Sequence, residues 1–236
     1  MTDMSKFALA RTARITFITP VLGTATMDPE AYAAYLASDA TPEALREELA
    51  SLPQPTAMLA AHPDQNGDLL EEGAPLEEFK APTVFHRDEH GRPIHYSYMW
   101  KGLFKEAAGH LRRVTDEKKK PLLLSGKLRA YKKIIDGLIF VHPRQVMLEL
   151  PAGGQLGLLK RPLRAQGPSG ERVALACSEM IPAGTTCTLT ICSYSVLAEA
   201  VSVQDLLDEW LSYGEEHGMG QWRNAAYGSF TYEWLD

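Results

Sequence analysis

No apolar run in this chain approaches the roughly 20 residues that a helix needs to cross a bilayer. The longest, residues 122–124 and 138–141, fall far short, and the N-terminus carries no signal-peptide core. A cytoplasmic protein with no membrane partner is expected. Cysteine is scarce: Cys177, Cys187 and Cys192 are an odd number with no CxxC pair, which argues against a disulfide framework or a zinc site. Cys187 and Cys192 sit five apart in a strand-like stretch, so opposite faces are expected, with all three thiols reduced and in or near the core. No metal and no cofactor is implied. Positive charge is also missing on average, since the 236 residues carry a formal net charge of -6, and strong polyanion binders usually show the reverse balance.

The average hides a sorted chain. Residues 26–90 hold 14 acids against 3 bases, residues 101–164 hold 15 bases against 5 acids, and residues 165–236 hold 10 acids against 2 bases. Such sorting predicts one surface shaped for an anion and others kept free of it. Residues 14–19 are β-branched and aromatic, end at Pro20, and read as a first strand. From residue 26 to 91 the composition turns acidic and proline-punctuated, with helical pattern only over 27–37 and 41–52, so this span reads as an insertion between core elements.

Beyond it, Trp100, Leu103, Phe104, Ala107, Ala108 and Leu111 recur at helical spacing and form one apolar stripe. Lys101, Lys105 and Arg112 then fall within about 40° of one another along one border of that stripe. They form a cationic ridge, which is also what long side chains snorkelling beside a buried face produce. A basic stretch follows (residues 118–133), then strands over 138–141 and 146–150, and a second basic cluster of Lys160, Arg161 and Arg164. Residues 172–181 and 185–194, joined by Pro182-Ala183-Gly184, predict a β-hairpin. Ser202 reads as the cap of a second amphipathic helix built on Val203, Leu206, Leu207, Trp210 and Leu211, closed by Gly218, with an acidic outer face of Asp205, Asp208, Glu209, Glu215 and Glu216. Residues 227–234 alternate as a last strand.

The order strand, helix, strands, hairpin, helix, strand predicts an α+β fold: a ferredoxin-like, RRM-like β-α-β-β-α-β core (residues 1–25 and 92–236) with extra strands and the large acidic insertion after the first strand. One face of such a sheet is open, and single-stranded RNA is often read there.

The most informative segment is Gly218-Met219-Gly220-Gln221-Trp222-Arg223-Asn224-Ala225-Ala226-Tyr227-Gly228. Glycines let a backbone approach phosphate closely, Arg223 adds a charged fork of donors, and Trp222 or Tyr227 offers a ring on which a base stacks. Equally, Gly218 fits a plain helix cap and Trp222 a core plug. Neither a dinucleotide fingerprint nor a P-loop is present.

This loop resembles the glycine-rich signature of the RAMP superfamily (repeat-associated mysterious proteins). Residues 15–23 are similar to that family's first strand and its Pro-x-x-Gly exit, and residues 98–107 to the start of the first helix in backbone subunits of CRISPR effector complexes. The pattern departs at Ala226 and Ser229, which stand where glycine and arginine or glycine are common. The resemblance implies sequence-independent binding of single-stranded, guide-type RNA by copies that assemble head to tail, with other CRISPR effector subunits as further partners. The candidate RNA contacts are Lys101, Lys105, Arg112, Lys160, Arg161, Arg164, Gly218, Gly220, Gln221, Trp222, Arg223, Asn224 and Tyr227, with no catalytic residue among them.

Two other readings remain open from the sequence. One is an endoribonuclease of the same superfamily, with His86, His90, His95 and His110 as acid-base candidates and Asp39, Asp64, Asp68 and Asp88 as candidate acids in the insertion. The other is a mobile-element protein that imitates a backbone subunit and acts through protein contacts.

Overall fold

The computed structural model describes residues 9–26, 83–167, 170–193 and 201–235, with side chains for all of these except 162–175. The predicted helices over 27–37 and 41–52 and the acids Asp39, Asp64 and Asp68 lie outside the described residues, as does the Arg164 side chain. The chain divides into two compact units: Met1–Gly23, Phe85–Gly157 and Met180–Asp236 form the first, and Thr24–Val84 with Leu158–Glu179 the second.

The first unit is organised by an antiparallel sheet in the order β12-β1-β11-β7. Its strands are β1 (Leu9–Phe17), β7 (Ile139–His142), β11 (Thr186–Ser193) and β12 (Phe230–Trp234). Ile15 stands opposite Cys187 on one side and Tyr232 on the other. Alternation then does what period-2 patterning demands: Ala13, Ile15, Phe17, Leu189, Ile191 and Phe230 all face inward and are fully buried.

Helices α1 (Ser97–Leu111) and α3 (Val203–His217) close the core. The apolar stripe of α1 is buried as predicted, and Phe104 stacks on Trp210 of α3 with ring centroids 5.7 Å apart. Burying two such rings contributes roughly 2–3 kcal/mol each. Ser202 caps α3 by accepting from the Asp205 backbone N–H. Gly214 marks a tight crossing of α3: a Cβ there would meet Phe230 Cζ at 2.7 Å and Leu103 Cδ2 at 2.9 Å.

A smaller sheet in the same unit has the order β5-β6-β8, from His86–Arg87, Pro93–Tyr96 and Gln145–Met147. The expected strand over 146–150 is therefore shorter and earlier, and it pairs with β6. Helix α2 (Tyr131–Leu138) occupies part of the stretch that reads in sequence only as basic.

The expected hairpin of residues 172–181 with 185–194 does not form. Strand β10 (Gly170–Ile181) joins β9 (Gly157–Gly167), whereas β11 belongs to the sheet of β1. The Pro182-Ala183-Gly184 segment passes the chain between sheets, anchored where Gly184 N–H donates to the Phe17 carbonyl at 2.7 Å. Strand β9 ends at Gly167 and β10 begins at Gly170, so β10 pairs with the strand that precedes it in the chain. At its end β10 pairs Met180 and Ile181 with β2 (Val21–Leu22). In the second unit, Ser178 of β10 lies beside Thr83 of β4 (Thr83–Val84), which pairs with β3 (Ala25–Thr26).

Cys177, Cys187 and Cys192 are free and buried. Burial pushes the Cys187 thiol far above the ordinary range, with Glu149 adding to the effect.

Candidate nucleic-acid interface

Helix α3 ends at Gly218, and the loop from 218 to 228 returns the chain to β12. Its glycines serve backbone packing. A Cβ on Gly228 would run into the Met219 carbonyl, and one on Gly220 would stand 2.7 Å from the Leu22 carbonyl. The two ends are tied where Met219 N–H donates to Gly228 O at 2.9 Å and Gly228 N–H donates to Pro20 O at 2.8 Å. Gly218 is buried as the helix terminus, with φ at 79°. Gly218 and Gly220 are thus absorbed into the frame that holds the loop.

What the frame presents is a short 3-10 turn, Arg223–Ala225, flanked by Trp222 and Ala226 in left-handed backbone conformation. Trp222 is 44% exposed and stacks on Tyr227 with centroids 5.2 Å apart and planes 16° off parallel. Trp222 is therefore not a core plug. Asn224 is exposed beside it, and Gln221 is half-buried.

Arg223 turns back to helix α1. Its Nη1 donates to Glu106 Oε2 at 2.7 Å and its Nη2 to Glu106 Oε1 at 3.2 Å. His217 Nε2 lies 3.0 Å from Glu106 Oε1. Partial burial raises the Glu106 carboxyl, but the hydrogen bonds and charge of Arg223, with His217, outweigh this and hold it below its ordinary value. The same acid acts on Tyr213, whose hydroxyl is raised first by burial and then by Glu106. Tyr213 stacks on His217 at 4.8 Å, and His110 lies 6.3 Å from His217.

The ridge on α1 is equally engaged. Lys101 Nζ donates to the Asp136 carbonyl at 2.9 Å and lies 5.4 Å from the Phe140 ring centroid. Lys105 Nζ donates to Asp136 Oδ1 at 3.0 Å, and Arg112 sits 5.2 Å over the Tyr131 ring. Burial lowers the Lys101 pKa, Asp136 opposing and Lys105 adding to the shift. At about 100° per residue, Glu106 lies roughly 100–140° around α1 from these lysines. Ridge and loop arginine therefore occupy opposite borders of the buried stripe. Lys160 and Arg161 lie half-buried on β9 in the second unit, where Lys160 opposes the burial that raises the Cys177 thiol.

Exposed charge is concentrated elsewhere in the first unit. Arg112, Arg113, Lys118, Lys119, Lys120, Lys127, Arg129, Lys132 and Lys133 are all exposed. Asp116, one of two acids in that span, accepts the backbone N–H groups of Lys118 and Lys120 at 2.9 and 2.7 Å. Composition flags this segment, but no periodicity in the sequence distinguishes it from an ordinary solvated turn.

The acidic face of α3 is largely turned to structural use. Glu209 accepts from the backbone N–H groups of Leu124 and Ser125 at 2.7 and 2.9 Å. Asp208 accepts from Trp234 Nε1 at 2.7 Å and from the Tyr232 hydroxyl at 3.1 Å. The sheet face turned from the helices carries Thr12, Thr16, Thr188 and Thr231, the Arg14–Glu233 pair and, by register on β7, Phe140 and His142. Among the described residues no three His, Cys, Asp or Glu side chains converge as a metal site, and no described helix is long and apolar enough to cross a membrane.

No protein-family model matches the chain, and no curated protein does. Several solved structures show similarity to the chain. The type III-B Cmr-beta complex bound to cognate target RNA contains a chain matched at TM-score 0.46 and 9% identity, over 96% of this chain and 61% of that one. This chain thus spans under two thirds of that relative's length. A type IV-B CRISPR complex gives TM-score 0.40 and 14% identity over 96% and 90%. Cmr6 from Pyrococcus furiosus gives 0.39 and 9% over 94% and 97%.

Proposed function

We propose that this chain binds single-stranded RNA through its sugar-phosphate backbone, without reading sequence, as a non-catalytic backbone subunit of a CRISPR-like ribonucleoprotein. On this reading it is a cytoplasmic protein whose copies assemble head to tail beside other effector subunits. A ferredoxin-like core, supported by the antiparallel order β12-β1-β11-β7 and by α1 and α3 on one side, carries the surface.

The observation that carries the reading is the run of nine exposed cations between residues 112 and 133. Phosphate contacts from lysine and arginine position a strand without reporting its bases. Trp222 and Tyr227 supply a stacking surface that tolerates any base. Lys101, Lys105 and Arg223 join the contact set by exchanging Asp136 and Glu106 for phosphate.

Fluorescence anisotropy with unrelated single-stranded RNAs of equal length tests this. Dissociation constants that agree within about threefold and rise steeply with salt are expected. Binding restricted to one sequence, or absent even at about 50 mM salt, contradicts it.

A second reading, RNA cleavage, is favoured by one cluster: His110, His217, Tyr213 and Arg223 around Glu106. Two imidazoles and a tyrosine are groups that move protons in such chemistry. Incubating labelled RNA with the protein, with and without Mg²⁺, separates the two; intact RNA throughout leaves binding alone.

A further inference from the structure

The small sheet β5-β6-β8 carries a row of rings that the loop-centred reading leaves unused. Along β6, Pro93 and His95 turn to one side and Tyr96 to the other, and the pairing His86 with Ile94 places His86 on the Tyr96 side. His86 meets Tyr96 edge-on, with centroids 4.8 Å apart and planes 61° apart, and Tyr96 lies 5.7 Å from Tyr98 with planes only 17° off parallel. The row reaches Tyr98, which is 49% exposed.

Its surroundings suit an anion with flat bases. Gln145 is exposed and stands opposite Tyr96 in register, presenting an amide with both donor and acceptor. Arg144 is exposed, and its carbonyl accepts the Ser97 N–H at 2.8 Å, which fixes the arginine beside the start of α1. Burial lowers the His86 pKa, so at neutral pH its ring is uncharged and serves as part of the apolar row.

We infer that Tyr96 and Tyr98, backed edge-on by His86, form a second base-stacking ladder for single-stranded RNA, with Tyr98 taking a base on its exposed surface, Gln145 meeting a base edge and Arg144 a phosphate. This rests on the proposed RNA binding and extends it to a surface distinct from the 218–228 loop. A near-parallel ring pair ending in an exposed face is the arrangement on which bases stack without sequence preference.

The full-length chain is photocrosslinked to a 12-nucleotide RNA containing 4-thiouridine, and Tyr98→Ala and Tyr98→Trp are titrated with the same RNA. Crosslinks are expected on the tryptic peptide ending at Lys101, with affinity about tenfold weaker in Y98A and within about twofold of the parent in Y98W. Tyr98 is half exposed, so a thermal melt matching the parent is expected for both. RNA binding that persists unchanged in Y98A, with crosslinks confined to the peptide holding Trp222 and Tyr227, overturns the ladder and leaves the proposed function standing. Loss of self-association in Y98A with RNA binding intact also overturns it, making Tyr98 a protein contact. No RNA binding by the parent chain overturns both.

Discussion

Arg223 and Glu106, 117 positions apart, are joined by two nitrogen–oxygen contacts of 2.7 and 3.2 Å. This bidentate pair fixes the loop after α3 against α1 and determines what the loop arginine is free to do. A phosphate that recruits Arg223 must compete with a carboxylate already in place.

Two variants therefore move in opposite directions. Glu106→Gln removes the competing charge and is expected to tighten RNA binding about threefold, while Arg223→Ala weakens it by a similar factor and costs about 1 kcal/mol of stability. Anisotropy titrations and denaturant melts check both. Equal affinity in the two variants removes Arg223 from the contact set.

His95 makes the fold sensitive to acid. It is fully buried among Phe17, Phe85 and Trp100, and its Nδ1 has no hydrogen-bond partner. Burial, with His86 adding, takes its pKa from 6.5 down to about 3. A depressed folded-state value means that the neutral ring stabilises the fold above the unfolded value. That contribution is lost as pH falls from 6.5 towards 3, by about 3 kcal/mol at pH 4.5. His95→Phe is expected to flatten this slope in urea melts at pH 7.5 and 4.5; an unchanged slope assigns the acid sensitivity to other groups.

Gly214→Ala places a methyl group within 2.7 Å of Phe230 Cζ and 2.9 Å of Leu103 Cδ2. Overpacking at this crossing is expected to cost about 1–3 kcal/mol despite the gain in helix propensity. A stabilised variant in thermal melts contradicts the packing described.

Glu209→Ala strips two backbone N–H groups, of Leu124 and Ser125, of their acceptor. A loss of about 2 kcal/mol is expected, with faster amide exchange at those two positions. Protection equal to the parent's shows that the carboxylate is dispensable there.

Much of this arrangement is legible in the sequence where partners are local. The stripe from Trp100 to Leu111 announces α1 because each contact repeats within a turn, and Ser202 announces α3 because a cap bonds three residues ahead. Helix α2 escapes notice because eight residues make too short a period. The hairpin is misassigned because Pro182-Ala183-Gly184 reads as a tight turn, and only tertiary pairing sends β10 to β9 and β11 to β1. Likewise Lys101 and Lys105 read as a free ridge, since Asp136 lies 35 and 31 positions away. The acidic face of α3 reads as solvated because Tyr232, Trp234 and the Leu124 turn reach it only in the folded chain.

The most direct measurement is the salt dependence of single-stranded RNA affinity for the parent chain and for a variant with Lys118, Lys119, Lys120, Lys132 and Lys133 all changed to Ala. Each phosphate contact on a single strand contributes about 0.7 to the slope of log affinity against log salt. The variant is expected to bind more weakly at low salt, with a slope shallower by up to about 3.5 if every one of the five lysines meets a phosphate. An identical slope and affinity in the two proteins would contradict the assignment of this basic segment as the RNA-binding surface.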